Sequence, residues 1–236
     1  MIRHALAVRA HFDWAVGVTL AAPEAEVSRL VSPGLRLDTE GGMGFLAAAA
    51  VQTRRLRPEP LPAALGLNFL LVGYRVFVRF RGNSGEHRGL QILGSETDGR
   101  LMSMLGNLFT HYGYQQRSVT TSRVDGRLSI ATDSGLRIEV DPGRPELPEG
   151  SPFASWNDAR KFAGPMPYTF AAESDGRIVR VRGTRAHWQP RPVGLTALDA
   201  PFLRALVPGA RPAAAFLVED VDYRWEPGQR EAPLPE

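Results

Sequence analysis

The sequence predicts an α+β fold: a mostly antiparallel, strongly curved β-sheet or barrel with a few packed helices. Three observations carry this. Segments with a two-residue period outnumber those with a helical period. Asp125-Gly126 and Asp175-Gly176 each join two such segments, a strong short-range hairpin signal. Within 69–80, Tyr74, Val76, Val78 and Phe80 take one face, and Arg75, Phe77 and Arg79 the other.

In chain order, Phe12 to Leu20 reads as a strand. Pro23 opens a short helix with Glu24 and Glu26 in its first turn, where the helix dipole favours acids, and Ser32-Pro33-Gly34 ends it. Met43 to Arg54 is apolar and alanine-rich; its periodicity suits a helix or a buried strand. Pro58, Pro60 and Pro62 make the next segment a loop. The strand Phe69 to Phe80 turns at Gly82 to Glu86 and pairs back through Arg88 to Ser95. Asp98 is placed to cap a helix whose apolar positions, Leu101, Met104, Leu105, Leu108 and Tyr112, form one core-facing stripe. Gly113 is its natural stop. Strands follow at 117–124, 127–132 and 136–140. After a proline-rich loop to Gly150, Ser151-Pro152 is a cap-then-proline helix start, with Gly164 as the stop. Tyr168 to Glu173 and Arg177 to Arg182 form the next hairpin, Asp199 caps a short helix ending near Val207, and Ala214 to Trp225 is the last strand. One domain over 1–225 is expected, followed by a polar, proline-rich, frayed tail over 226–236. Asp-Gly-Arg occurs at Asp98, Asp125 and Asp175; the flanks differ, so this is turn chemistry rather than a repeat.

Composition excludes several mechanisms. Lys161 is the only lysine among 28 basic side chains, and cysteine is absent. A Schiff base needs an amine whose pKa is lowered by burial or a neighbouring cation, so imine chemistry rests on Lys161 or the N-terminal amine. Without a thiol there is no cysteine nucleophile, disulfide or thiolate metal site; a reducing cytoplasm fits and is the expected location. The formal net charge is only +3, and no basic stripe with interleaved aromatics occurs, so nucleic acid is not an expected partner. Arg75, Arg79 or glycines cut the apolar runs well short of the ~20 residues of a membrane span. Arg9, His11 and Asp13 break the apolar region that would make 1–22 a signal peptide.

Gly42, Gly44 and Ala47 spell Gly-x-Gly-x-x-Ala, but no βαβ pattern surrounds them; they read as turn glycines, and no cofactor is expected. His4, His11, His87, His111 and His187 show no zinc-protease spacing and no His-x-His pair, so no metal is expected. Arg75 and Arg79 flank Phe77. In a sheet with a wet side they face outward. In a barrel they line a cavity and suit a carboxylate held through two parallel hydrogen bonds. Arg88 and Glu96 on the next strand would neighbour them, Glu96 most simply in an ion pair. Lys161, beside Arg160 and three residues after Asp158, reads as part of an exposed helical ion pair. His111 and Tyr114 flank Gly113 and point away from the helical stripe, either toward a pocket or as capping groups.

Several stretches carry a resemblance: His11-Phe12-Asp13-Trp14, Pro33-Gly34-Leu35, Leu37-Asp38-Thr39, Leu56-Arg57-Pro58, Gly73-Tyr74-Arg75 and Phe77-Val78-Arg79. Arg88-Gly89-Leu90, His111-Tyr112, Phe162-Ala163-Gly164-Pro165-Met166-Pro167 and Tyr223-Arg224-Trp225 continue it. Together they resemble the bacterial family known as domain of unknown function 2071, over nearly the whole chain. That family is similar to the acetoacetate decarboxylase superfamily. The resemblance implies a cone-like antiparallel β-barrel with flanking helices and a ligand cavity inside, and makes the Arg75 and Arg79 face a candidate cavity wall. In acetoacetate decarboxylase a lysine shortly after a Gly-aromatic segment forms the Schiff base, and an adjacent lysine depresses its pKa. The matching segment here is Gly113-Tyr114-Gln115-Gln116. Glutamine cannot form an imine, so the resemblance does not carry that mechanism over, and Lys161 inherits no role from it.

The expected function is binding of a small organic acid or related polar metabolite inside the barrel, through Arg75, Arg79, Tyr114 and Gln115. If chemistry follows, a lyase or hydrolase using His111 or Glu96 as acid–base is expected. The alternatives are a non-catalytic binding or sensing protein, and a structural domain whose barrel is filled by side chains. The expected partner is a small-molecule ligand, with neither nucleic acid nor membrane; a homo-oligomer stays open.

Overall fold

The structure, a computed structural model, describes residues 4–163 and 166–234. Along the chain come β1 (Val8–Pro23), α1 (Glu24–Val27), β2 (Arg36–Leu37), β3 (Thr39–Glu40), β4 (Met43–Pro58), β5 (Leu67–Gly82) and β6 (Gly85–Thr97). Next are α2 (Arg100–Phe109), β7 (Tyr114–Gln116), β8 (Val119–Val124), β9 (Arg127–Thr132), β10 (Arg137–Asp141) and α3 (Trp156–Ala163). The chain continues through β11 (Tyr168–Ala172), β12 (Ile178–Arg185), β13 (Arg191–Pro192), β14 (Gly194–Asp199), α4 (Pro201–Leu206), β15 (Arg211–Trp225) and β16 (Gln229–Glu231).

Pairing runs β15–β1–β4–β5–β6–β11–β12, and β12 pairs again with β15, so seven strands follow one another around a ring. Every pairing in the ring is antiparallel except β6 with β11. Strands β8, β9, β10 and β14 form a second sheet. Its Ile130 and Ile138, with Leu136 just before β10 and Leu203 of α4, share one core with Tyr74, Val76, Val78 and Phe80 of β5. Each such apolar side chain contributes roughly 1.5–3 kcal/mol on burial. The second sheet and α4 thereby cover one face of the ring strands and leave the opposite face of β5, that of Arg75, for the ring's interior. At 125–126 both turn residues have positive φ, +49° and +80°, as a two-residue hairpin loop of this hand demands.

Met43 to Arg54 is a strand. Its run of alanines lies between β1 and β5, where small side chains let long strands curve without crowding. Other sequence expectations are corrected. Asp98 does not cap α2; its carboxylate accepts the Leu70 N–H at 2.7 Å. The stripe of α2 faces outward: Leu101, Met104, Leu108 and Phe109 are exposed, while Met102 and Gly106 are buried. The Tyr114 ring fills the space a side chain at Gly106 would need, and this contact sets the rotation of the helix against its own apolar moment. Helix α2 ends at Phe109, and Gly113, with φ +61°, belongs to the turn that follows.

Helix α3 starts later than Ser151-Pro152 suggests. Ser151 instead donates to the Ala213 carbonyl at 2.7 Å, and Ser155 Oγ accepts the Asp158 N–H at 3.2 Å. The expected stop, Gly164, lies outside the described residues. Asp199 pairs with Arg204 and does not cap α4, whose N-cap is Ala200. The segment read as a frayed tail carries β16, paired with β12, and its Glu231 accepts from Arg180 at 2.8 Å and Ser84 at 2.9 Å. Among the described residues, no helix is long and apolar enough to cross a membrane.

Candidate ligand site

Residues directly opposed in an antiparallel ladder share a face. Arg75 of β5 lies opposite Ala47 of β4, and Ala47 opposite Thr19 of β1. One row along, Gly73 lies opposite Ala49, and Ala49 opposite Gly17. Beside Arg75 and Gly73, the facing positions of β4 and β1 therefore carry only small side chains. A Cβ on Gly17 would meet no atom within 4 Å. Arg75 keeps some accessible surface although it lies deep among protein atoms.

The Arg75 guanidinium folds back over Gly73, where a Cβ would lie 3.3 Å from Nε. Its Nε is buried without a hydrogen-bond partner, and no carboxylate pairs with Arg75 among the described residues. Burial disfavours the cation and lowers its pKa; the nearby phenols of Tyr223, Tyr112 and Tyr114 oppose part of that shift.

These tyrosines arrive from separate elements: Tyr112 from the turn after α2, Tyr114 from β7 and Tyr223 from β15. The Tyr112 and Tyr114 rings meet edge-on at 6.3 Å, and the Tyr112 hydroxyl lies 2.8 Å from Thr169 Oγ1. The hydroxyls of Tyr114 and Tyr223 hydrogen-bond to no other described residue. Burial raises all three pKa values, that of Tyr112 to about 12. The phenols therefore stay protonated through the neutral range, where they serve as donors and not as bases. Glycines seat the cluster: Gly73 beneath Arg75, Gly106 beneath Tyr114 and Gly183 of β12 beneath Tyr223. Arg185 borders Tyr223, with its guanidinium 4.2 Å from the Trp188 ring centroid.

Of the ligand groups expected from sequence, Arg75 and Tyr114 converge. Arg79 does not join them. Its Nε lies 2.6 Å from Asp38 Oδ1 and its Nη1 3.0 Å from Glu86, while Arg88 holds the other Asp38 oxygen at 2.7 Å. Asp38 is fully buried, so the two arginines form a structural clamp toward the far end of β5. Gln115 is exposed and accepts from Arg117 at 2.9 Å. Glu96 lies opposite Val72, on the face away from Arg75, and accepts from the buried Tyr74 hydroxyl at 3.2 Å. Strand alternation separates it from Ser95, which lies opposite Gly73 on the Arg75 side.

His111 stands beside the cluster, stacked on His4 at 5.4 Å and with Nε2 3.8 Å from Glu173. Lys161 is exposed on α3, and its expected partner Asp158 instead accepts from Ser155 Oγ at 2.6 Å. The Met1 amine lies outside the described residues. No group of three His, Asp or Glu able to hold a metal occurs among the described residues. Sequence reasoning missed Tyr112, assigned to the helical stripe, and Tyr223, noticed only within the closing Tyr-Arg-Trp.

No curated protein matches the chain in sequence. Among solved structures, the chain is similar to an acetoacetate decarboxylase-like enzyme from Sphingomonas wittichii RW1, with 14% identity and TM-score 0.61 over 99% of this chain and 95% of that one. The acetoacetate decarboxylase from Legionella pneumophila is similar at 13% identity and TM-score 0.61, over 95% and 87%. The enduracididine biosynthesis enzyme MppR complexed with pyruvate is similar at 12% identity and TM-score 0.53, over 98% and 90%. These likenesses establish an acetoacetate decarboxylase-like fold. Residues 13–221 match DUF2071, an uncharacterized conserved protein family, and the chain belongs to that family.

Proposed function

We propose that the ring interior binds a small organic acid, with Arg75 taking the carboxylate and the hydroxyls of Tyr112, Tyr114 and Tyr223 orienting it. The observation that carries this reading is the buried Arg75 guanidinium without a counter-ion. A buried charge is costly unless paired, and a ligand carboxylate supplies both the charge and the acceptor oxygens. A protein of the same fold holding pyruvate is consistent with this chemistry.

The reading does not include an imine. Gln115 and Gln116 follow Tyr114, and Lys161 is exposed. If the site is catalytic, His111 is the acid–base group nearest to it in the chain, and a lyase or hydrolase is the matching class. Non-catalytic binding is favoured by the three phenols, which provide donors but no base near neutral pH.

The test is thermal unfolding with pyruvate, acetoacetate and their methyl esters. A carboxylate at a hundredfold excess over its Kd stabilises the native state by ~2.7 kcal/mol, a Tm rise of roughly 5–10 °C. The acids should raise Tm, the esters should not, and Arg75→Ala should abolish the response. An Arg75→Ala protein that keeps the response defeats the proposal. Borohydride reduction in the presence of either acid should leave the intact mass unchanged; a stable adduct on Lys161 would restore an imine mechanism.

A further inference from the structure

A second concavity, with a volume of about 580 Å³, is walled by five arginines, Arg9, Arg55, Arg57, Arg185 and Arg224, and by Tyr223. The strand register concentrates this charge. Arg9 of β1 lies directly opposite Arg57 of β4 on one side and Arg224 of β15 on the other. Like charges opposed across a ladder repel, so three guanidinium groups in one row need an anion. The protein supplies one: Glu59 accepts from Arg224 at 3.0 Å and also pairs with Arg9. The Asp222 carboxylate in the wall lies 3.1 Å from His11 Nδ1. Arg57 is held only by the backbone carbonyls of Arg55 and Leu61, each at 3.0 Å, and the Arg55 side chain has neither hydrogen bond nor ion pair among the described residues.

Arg55 is also conformationally unusual. It sits at a register shift between Thr53 and Leu56, with φ +53°, in the left-handed region that side chains other than glycine rarely adopt. Gly66 permits the close approach of backbone that this kink needs, since a Cβ there would strike the Arg55 main chain. Strain of this kind persists where the surrounding structure enforces it, and here it sets Arg55 into the cleft wall.

We propose that this cleft binds the phosphate-bearing part of a small metabolite. Guanidinium forks match phosphate oxygens through paired hydrogen bonds. The cleft is open, where a single carboxylate gains little from one surface arginine. A phosphate or diphosphate engages several arginines at once, and the volume lies within the range of small-molecule sites. The proposal stands apart from the carboxylate reading, because neither Arg55 nor Arg57 belongs to the Arg75 cluster; Tyr223 borders both sites.

The experiment is calorimetric titration of the whole chain with inorganic pyrophosphate, against sulfate at matched ionic strength. Saturable pyrophosphate binding is expected, weakened about tenfold or more in the double variant Arg55→Gln, Arg57→Gln and unchanged in Arg75→Ala. The single variant Arg55→Gln, which removes a side chain without partners, should weaken binding while leaving the circular dichroism spectrum intact. Equal binding of sulfate, no saturable binding, or full affinity in both variants overturns the proposal. So does association with phosphatidylcholine vesicles carrying phosphatidic acid in the absence of pyrophosphate binding, which assigns the charge to a membrane surface.

Discussion

The Tyr223 hydroxyl lies across Gly183 on the neighbouring strand and occupies the space that a Cβ on Gly183 would take. A side chain at position 183 would displace this phenol, so the glycine is needed for the phenol to sit where it does. Gly73 and Gly106 stand in the same relation to Arg75 and Tyr114. The candidate site is thus shaped as much by three glycines as by the groups that would touch a ligand.

Gly183→Ala should destabilise the protein by about 1–3 kcal/mol, the usual cost of forcing an extra group into packed space. It should also weaken the carboxylate-induced rise in Tm. The three atoms nearest to such a Cβ all belong to Tyr223, so in the Tyr223→Ala background the same substitution should cost much less. Urea denaturation of the four proteins of this cycle measures the coupling. Additive effects would mean that Tyr223 moves aside freely.

Arg75→Met should make the ligand-free protein more stable, by about 1–2 kcal/mol, because an unpaired buried cation is replaced by an apolar side chain of similar length. Chemical denaturation in buffer without carboxylates reads this directly. A loss of stability would show that Arg75 has a structural partner.

Arg79→Ala should behave in the opposite way, although both arginines lie on one face of β5. It leaves the buried Asp38 with Arg88 alone, so stability should fall by roughly 1–2 kcal/mol, an amount moderated by the solvent exposure of Arg79. The Tm response to carboxylates should be preserved. Loss of that response with unchanged stability would place Arg79 in the ligand site.

Alkaline titration should reveal the buried phenols. Burial raises the pKa values of Tyr74, Tyr112, Tyr114 and Tyr223 in the folded chain above the ordinary 10.0, that of Tyr112 to about 12. The folded state then holds more protons than the unfolded state above pH ~10. Their contribution to stability is fully present below that pH and is lost as the pH rises toward and through about 12. Absorbance at the phenolate band should show these four ionising only as near-ultraviolet circular dichroism collapses. Reversible ionisation near pH 10 with native dichroism would contradict the burial described.

Much of the fold was legible because its signals are local. Asp125-Gly126 and Asp175-Gly176 mark hairpins through their own backbone preferences, and the alternation of β5 places Tyr74, Val76, Val78 and Phe80 together in the main core. The helix ends were less legible. Asp98 and Asp199 look like caps, but each spends its carboxylate on a distant or lateral donor, Leu70 N–H and Arg204. Helix α2 misled for a further reason: its apolar stripe is real, yet the Tyr114 ring against Gly106 turns that stripe to the outside.

By itself the sequence determined the strand-rich class, the hairpin order, the lack of a thiol, a single lysine, and Gln115 and Gln116 after Tyr114. Period, turn chemistry and composition depend only on neighbouring residues, so they can be read along the chain. Only the tertiary structure decided that Arg75 faces the interior while Arg79 binds Asp38, that Glu96 lies on the opposite face, and that Tyr112, Tyr114 and Tyr223 gather near one guanidinium. Which face of a strand is inside depends on how the sheet curves back until β12 meets β15, a contact between strands far apart in the chain that no local pattern encodes.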